Sequence, residues 1–125
     1  MSLLHAHLVF VTKYRRPVFT DAMLIFTEKT MHGVCADLDA ELVQFNGEAD
    51  HVHLLVAYPP TVAISALVQR LKGRTAYAVR REYTGVGVRA RMRGHLWSPS
   101  YFAVSCGGAP LSIVKQYIDG QARPL

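Results

Sequence analysis

Residues 41–58 read ELVQFNGEADHVHLLVAY, and this stretch decides the fold. Apolar runs rich in β-branched and aromatic residues flank Asn46-Gly47, a strong signal for a tight hairpin turn. The pattern predicts a strand over 41–45, a turn at Asn46-Gly47, and a strand over 51–58 paired antiparallel to the first.

Working outward, residues 4–13 carry Leu8, Val9, Phe10 and Val11 and end in Tyr14-Arg15-Arg16-Pro17, which reads as a buried strand closed by a turn. Residues 21–40 place Leu24, Thr27, Met31, Val34, Cys35 and Leu38 at helical spacing, with Thr20 positioned as N-cap. After 58, Pro59-Pro60-Thr61 is expected to stop the strand and cap a long helix whose buried stripe is Ile64, Leu67, Val68, Leu71, Val79 and Tyr83. The opposite face of that helix is basic. A glycine and arginine loop over 85–94, a fourth strand over 96–105 and a last helix over 110–121 complete the chain. Strand, helix, strand, strand, helix, strand and a final helix fit an α+β sandwich of the ferredoxin-like type, with two helices on one face of an antiparallel sheet.

With 125 residues, half of them hydrophobic, the expected organisation is a single domain over 1–125. The longest apolar runs fall far short of the roughly 20 residues that cross a bilayer, so no membrane span is expected. Nothing at the N-terminus resembles an export signal, which makes a cytoplasmic location the expectation. Cys35 and Cys106 lack the spacing of a zinc site or disulfide scaffold and read as reduced, inert thiols. Fourteen basic residues, ten of them arginine, against nine acidic ones favour an anionic partner.

His51 and His53 are two apart on a strand, so both imidazoles project from one face and can grip one metal ion. Taken alone, such a pair also fits two structural histidines. Regular alternation would send Glu48 and Asp50 to the other face, away from that ion. A second pair of the same spacing, His5 and His7, is expected near the end of the sheet opposite His51, as structural residues. On the last helix Tyr117 and Gln121 are four apart and share a face, beside the apolar Leu111, Val114 and Ile118. Either could be an ordinary helical residue. Together with the histidines they describe a metal site of two imidazoles and an amide oxygen, with a phenol as nucleophile. A phosphotyrosine is a workable leaving group, so strands could be rejoined without a nucleotide cofactor.

The blocks HLVFVTKYRRP (7–17), DHVHLLV (50–56), LKGR (71–74), LWSPSYF (96–102) and VKQYIDGQ (114–121) together resemble the single-tyrosine HUH transposases of small bacterial and archaeal insertion sequences, the superfamily that includes the REP-associated tyrosine transposases. The resemblance spans nearly the whole chain. It implies that His51 and His53 are the HUH pair, Gln121 the remaining ligand of Mg²⁺ or Mn²⁺, and Tyr117 the nucleophile that forms a 5′-phosphotyrosine. It implies a homodimer that cuts and rejoins single-stranded DNA at hairpin-bearing ends and associates with the nucleoid when bound. In relatives the tyrosine helix of one subunit can complete the histidine site of the other, and Gly107-Gly108 would supply the joint. Some members carry a longer terminal helix than the four residues that follow Gln121 here.

Lys13, Arg15 and Arg16 after the first strand, Arg70, Lys72, Arg74, Arg80 and Arg81 on the long helix, and Arg89, Arg91 and Arg93 beyond it are candidate phosphate contacts, with a solvated basic surface as the bland reading. Tyr14, Tyr58, Trp97 and Tyr101 could stack on bases or pack in the core. Three other functions share these features: a domesticated processor of chromosomal hairpin repeats, a rolling-circle initiator, and a non-catalytic nucleic-acid-binding module.

Overall fold

A computed structural model of the chain describes residues 3–83 and 95–105. The elements are β1 (Leu4–Val11), a short 3-10 turn (Lys13–Arg15), α1 (Asp21–Asp37), β2 (Glu41–Glu48), β3 (His51–Tyr58), α2 (Ile64–Glu82) and β4 (Phe102–Ser105). The strands form one antiparallel sheet in the order β2-β3-β1-β4. This is the ferredoxin-like α+β arrangement that the pattern predicts. The final helix and Tyr117 lie outside the described residues, as do Cys106, Gly107-Gly108, Gln121 and the three arginines of 89–93.

Period-two alternation puts Ala6, Leu8, Phe10, Val52, Leu54 and Val56 on one sheet face. There they join Met31, Val34 and Cys35 of α1 and Leu67, Leu71 and Val79 of α2 in a single core. Burying the Cys35 thiol raises its pKa to about 11, which keeps it protonated and inert. Thr20 caps α1 as expected, its hydroxyl accepting from Met23 N at 3.2 Å. The helix ends at Asp37, short of the predicted 40, because Asp39 takes φ 56° and Ala40 N turns back to the Cys35 carbonyl at 2.8 Å. The start of α2 also differs from expectation. Pro59 accepts from Val62 N at 3.0 Å in a turn of its own, and the cap position falls to Ala63, which offers no side-chain bond.

Two boundaries moved for reasons that bear on the site. Asn46-Gly47 is not the hairpin turn; β2 runs through it to Glu48, and Ala49-Asp50 makes the turn. The carbonyls of that turn are occupied by the backbone N–H groups that follow β1. Thr12 N donates to Asp50 O at 2.9 Å, and Val18 N and Phe19 N donate to Ala49 O at 2.8 and 3.0 Å. Gly47 serves instead for close approach, since a Cβ there would lie 2.6 Å from Leu24 Cδ2. The fourth strand is likewise shorter than the predicted 96–105. Residues before Phe102 are held outside the ladder by the Thr12–Trp97 bridge, by Ser98 N donating to Val11 O at 2.8 Å, and by Lys72 Nζ donating to the carbonyls of Ser98 and Ser100 at 2.6 and 3.1 Å.

Candidate active site

All eight residues of β3 are buried, including those on the face turned away from the core cluster. His51 and His53 lie on that second face, 4% and 9% exposed. Their rings sit 6.1 Å apart between centroids with only 19° between their planes. Alternation along the strand thus brings the two imidazoles together.

The carboxylates beside them are not where alternation alone would send them. Asp50 belongs to the turn, so the strand rule stops before it. Its Oδ1 accepts from His51 Nδ1 at 2.8 Å. Glu48 is the last residue of β2 and the cross-strand partner of His51, and partners in register share a face. Its Oε2 lies 3.9 Å from His51 Nε2. Glu48, Asp50 and His51 each bring a ligand atom within 4.8 Å of the others, a candidate cluster for a divalent cation. Imidazole nitrogen and carboxylate oxygen suit such an ion, and His53 lies beside them. Burial pushes the Asp50 carboxyl upward, but the hydrogen bond with His51 and the charge of Arg15 outweigh it and hold the group below the ordinary carboxylate range.

The second histidine pair divides. His5 lies opposite Ala57, far from His51 along β3, as expected. His7 lies opposite Leu55, and its ring stands edge-on to His53 with centroids 6.0 Å apart. It is fully buried, and among the described residues neither ring nitrogen has a hydrogen-bond partner. Burial first, and the neighbouring His53 second, lower its pKa to about 4. His7 therefore adjoins the site as a neutral imidazole, a correction to its expected place at the far end of the sheet.

The IS200-like transposases match residues 1–121 of this sequence. The chain belongs to that family. It is 28% identical over 118 residues to the ISDra2 transposase TnpA of Deinococcus radiodurans, covering 94% of this chain and 84% of that protein. The IS200 transposase of Salmonella typhimurium is 25% identical over 115 residues, covering 92% and 74%. A crystal structure from D. radiodurans R1, described as that of a transposase, superposes with a TM-score of 0.76 at 28% identity over 97% of this chain and 92% of that one. The fold is also that of a REP-associated tyrosine transposase bound to a REP hairpin, at a TM-score of 0.68 and 12% identity over 95% and 64%.

In this IS200-like transposase the basic residues near β1 and α2 have defined surroundings. Lys13, Lys72 and Arg80 line one open cavity with His95, Trp97 and Ser98. Lys72 is committed to the Ser98 and Ser100 carbonyls and stands over the Phe10 and Tyr101 rings at 5.6 Å each. Arg74 approaches Asp37 at 3.9 Å, and Arg81 donates to the Tyr77 hydroxyl at 3.2 Å. Lys13 and Arg16 flank the exposed Tyr14 ring, 5.3 and 5.1 Å from its centroid. Arg15 turns the other way, its Nε reaching Asp50 Oδ2 at 3.3 Å. Tyr58 and Trp97 are core residues, whereas Tyr14 and Tyr101 remain exposed. Tyr117 and Gln121 lie outside the described residues.

Proposed function

We propose that this IS200-like transposase cleaves and rejoins single-stranded DNA at hairpin-bearing element ends, using Tyr117 as nucleophile and Mg²⁺ or Mn²⁺ held by His51, His53 and Gln121. One observation carries the reading: two buried, nearly parallel imidazoles share one face of the sheet, in a chain whose family match extends through the tyrosine segment.

When bound, the ion supplies positive charge that polarises the scissile phosphate. The imidazoles are neutral ligands and leave that charge undiminished. The Tyr117 phenol, with an ordinary pKa near 10, loses its proton as its oxygen bonds to phosphorus, and the 3′ oxygen leaves. The product is a 5′-phosphotyrosine. Its bond energy is returned when an incoming 3′ hydroxyl displaces the tyrosine, so no nucleotide cofactor is needed. Lys13, Arg15, Arg16, Arg74, Arg80 and Arg81 supply cationic surface for the DNA backbone, and binding should weaken steeply with salt. The hairpin partner is supported by the REP hairpin bound to the relative of the same fold. The family resemblance supports a homodimer in which Tyr117 of one subunit serves the histidines of the other. A non-catalytic nucleic-acid-binding module of this fold would present aromatic residues where this sheet presents His51 and His53.

The test is incubation with a labelled single-stranded hairpin end and Mn²⁺, followed by a denaturing gel. The wild type is expected to give a protein–DNA adduct. Tyr117→Phe and His51→Ala should give none while still binding the hairpin, and His5→Ala should behave as wild type. Equal loss from His5→Ala and His51→Ala would overturn the site assignment.

A further inference from the structure

The turn after β1 is built against backbone preference. Tyr14 and Arg15 are consecutive non-glycine residues at φ 60° and 54°, a conformation that L side chains rarely adopt. Such strain persists only where the surroundings over-determine it, and it concentrates at functional clamps. Here the clamp is visible. Arg15 N donates to Thr12 O at 2.9 Å, and the Thr12 hydroxyl donates to Arg16 O at 2.8 Å. Thr12 N in turn holds the carbonyl of Asp50. The strained turn and the β2–β3 turn are therefore one unit.

The side chains continue the connection. Arg15 Nε donates to Asp50 Oδ2 at 3.3 Å, and Asp50 Oδ1 accepts from His51 Nδ1 at 2.8 Å. A carboxylate only accepts, so the His51 ring presents an N–H to Asp50 at Nδ1, and Nε2 is the nitrogen left to face an ion. That is the nitrogen 3.9 Å from Glu48 Oε2, on the side where an ion would be held. Glu48, 74% exposed at its side chain, is too loosely held to fix the ring. Asp50, three-quarters buried and bonded on both oxygens, is not.

We propose that Asp50 is the positioning carboxylate of His51 and that Arg15, fixed by the strained 13–16 turn, holds Asp50 in place. The inference rests on the functional reading above, in which His51 is a metal ligand. Partners of this kind set the ring orientation and basicity of a ligating histidine, and their loss typically lowers metal affinity 10–100-fold. Arg15, one bond further away, governs a smaller share.

The experiment measures Mn²⁺ affinity of the full chain by calorimetry, together with the ¹⁵N-resolved ring signals of His51 without metal. Wild type should bind Mn²⁺, and His51→Ala should abolish binding. If wild type binds no Mn²⁺, or His51→Ala binds it equally, the metal-site reading itself fails. With that reading intact, Asp50→Asn should weaken binding on the order of 10–100-fold and convert the His51 ring from a single Nδ1–H tautomer to a mixture. Arg15→Gln should weaken binding several-fold, with Arg15→Lys restoring most of it. The Asp50 and Arg15 variants should remain folded by circular dichroism, and Asp50→Asn should bind the hairpin in EDTA as wild type does. Wild-type Mn²⁺ affinity and ring signals in a folded Asp50→Asn would overturn the proposal. So would equal losses in Arg15→Lys and Arg15→Gln.

Discussion

The buried His7 imidazole makes a specific demand on stability. Both ring nitrogens lack partners among the described residues, and the folded protein holds its pKa near 4 against 6.5 for an unperturbed histidine, burial acting first and His53 second. The unfolded chain therefore binds a proton that the folded chain refuses. Stability should be full above pH 6.5 and should fall as pH drops from 6.5 towards 4. Each tenfold in proton affinity is worth about 1.4 kcal/mol, so the interval corresponds to roughly 3 kcal/mol. In a domain of this size that is a loss of melting temperature on the order of 10 °C. The Asp50 carboxyl, held low, adds acid loss as pH falls into and below the ordinary carboxylate range. Urea and thermal unfolding of the metal-free protein from pH 7.5 to 4 read the slope, and His7→Leu isolates it. The variant should be at least as stable as wild type at pH 7, because two unpartnered buried nitrogens are removed. It should also lose most of the decline between pH 6.5 and 4. An acid slope in His7→Leu equal to that of wild type, or a His7 that titrates near 6.5 by NMR, would refute the reasoning.

Two structural substitutions test the framework around the site. Gly47→Ala would place a methyl 2.6 Å from Leu24 Cδ2, 3.1 Å from Val52 Cγ1 and 3.3 Å from the His51 carbonyl. It should cost about 1–2 kcal/mol in urea unfolding, and Leu24→Ala should relieve much of that added cost in the double mutant. Trp97→Phe removes a buried donor that reaches Thr75 Oγ1 at 3.0 Å, so it should cost about 1–3 kcal/mol. A Trp97→Phe protein as stable as wild type would show that this bond does not anchor the 95–100 segment to α2.

Much of this was legible in residue order, for physical reasons. Alternation put Leu54 and Val56 in the core and His51 and His53 together on the other face, and period 3.6 picked out Leu67, Leu71 and Val79 on α2. What failed depended on contacts distant in sequence. Asn46-Gly47 carries the local chemistry of a turn, yet backbone donors from Thr12, Val18 and Phe19 fix the turn at Ala49-Asp50. Asp50 and Glu48 were assigned to the wrong face by extending strand alternation through a turn; register pairing with His51 would have recovered Glu48. Strand topology alone puts His7 with His5 at the far end of the sheet, although its cross-strand position is diagonal to His53. Lys72 reads as surface charge in sequence, but α2 delivers it to two backbone carbonyls.

The central claim is that the Tyr117 phenol attacks a phosphate at the His51–His53 centre. Its most direct test is to trap the covalent product of a single-stranded hairpin substrate with Mn²⁺, digest protein and DNA, and map the modified peptide by mass spectrometry. The expected result is a 5′-phosphonucleotide on Tyr117 alone, absent from His51→Ala and His53→Ala proteins that still bind the hairpin. A cleaved strand with no residue modified, or a nucleotide linked to any other side chain, would contradict the account.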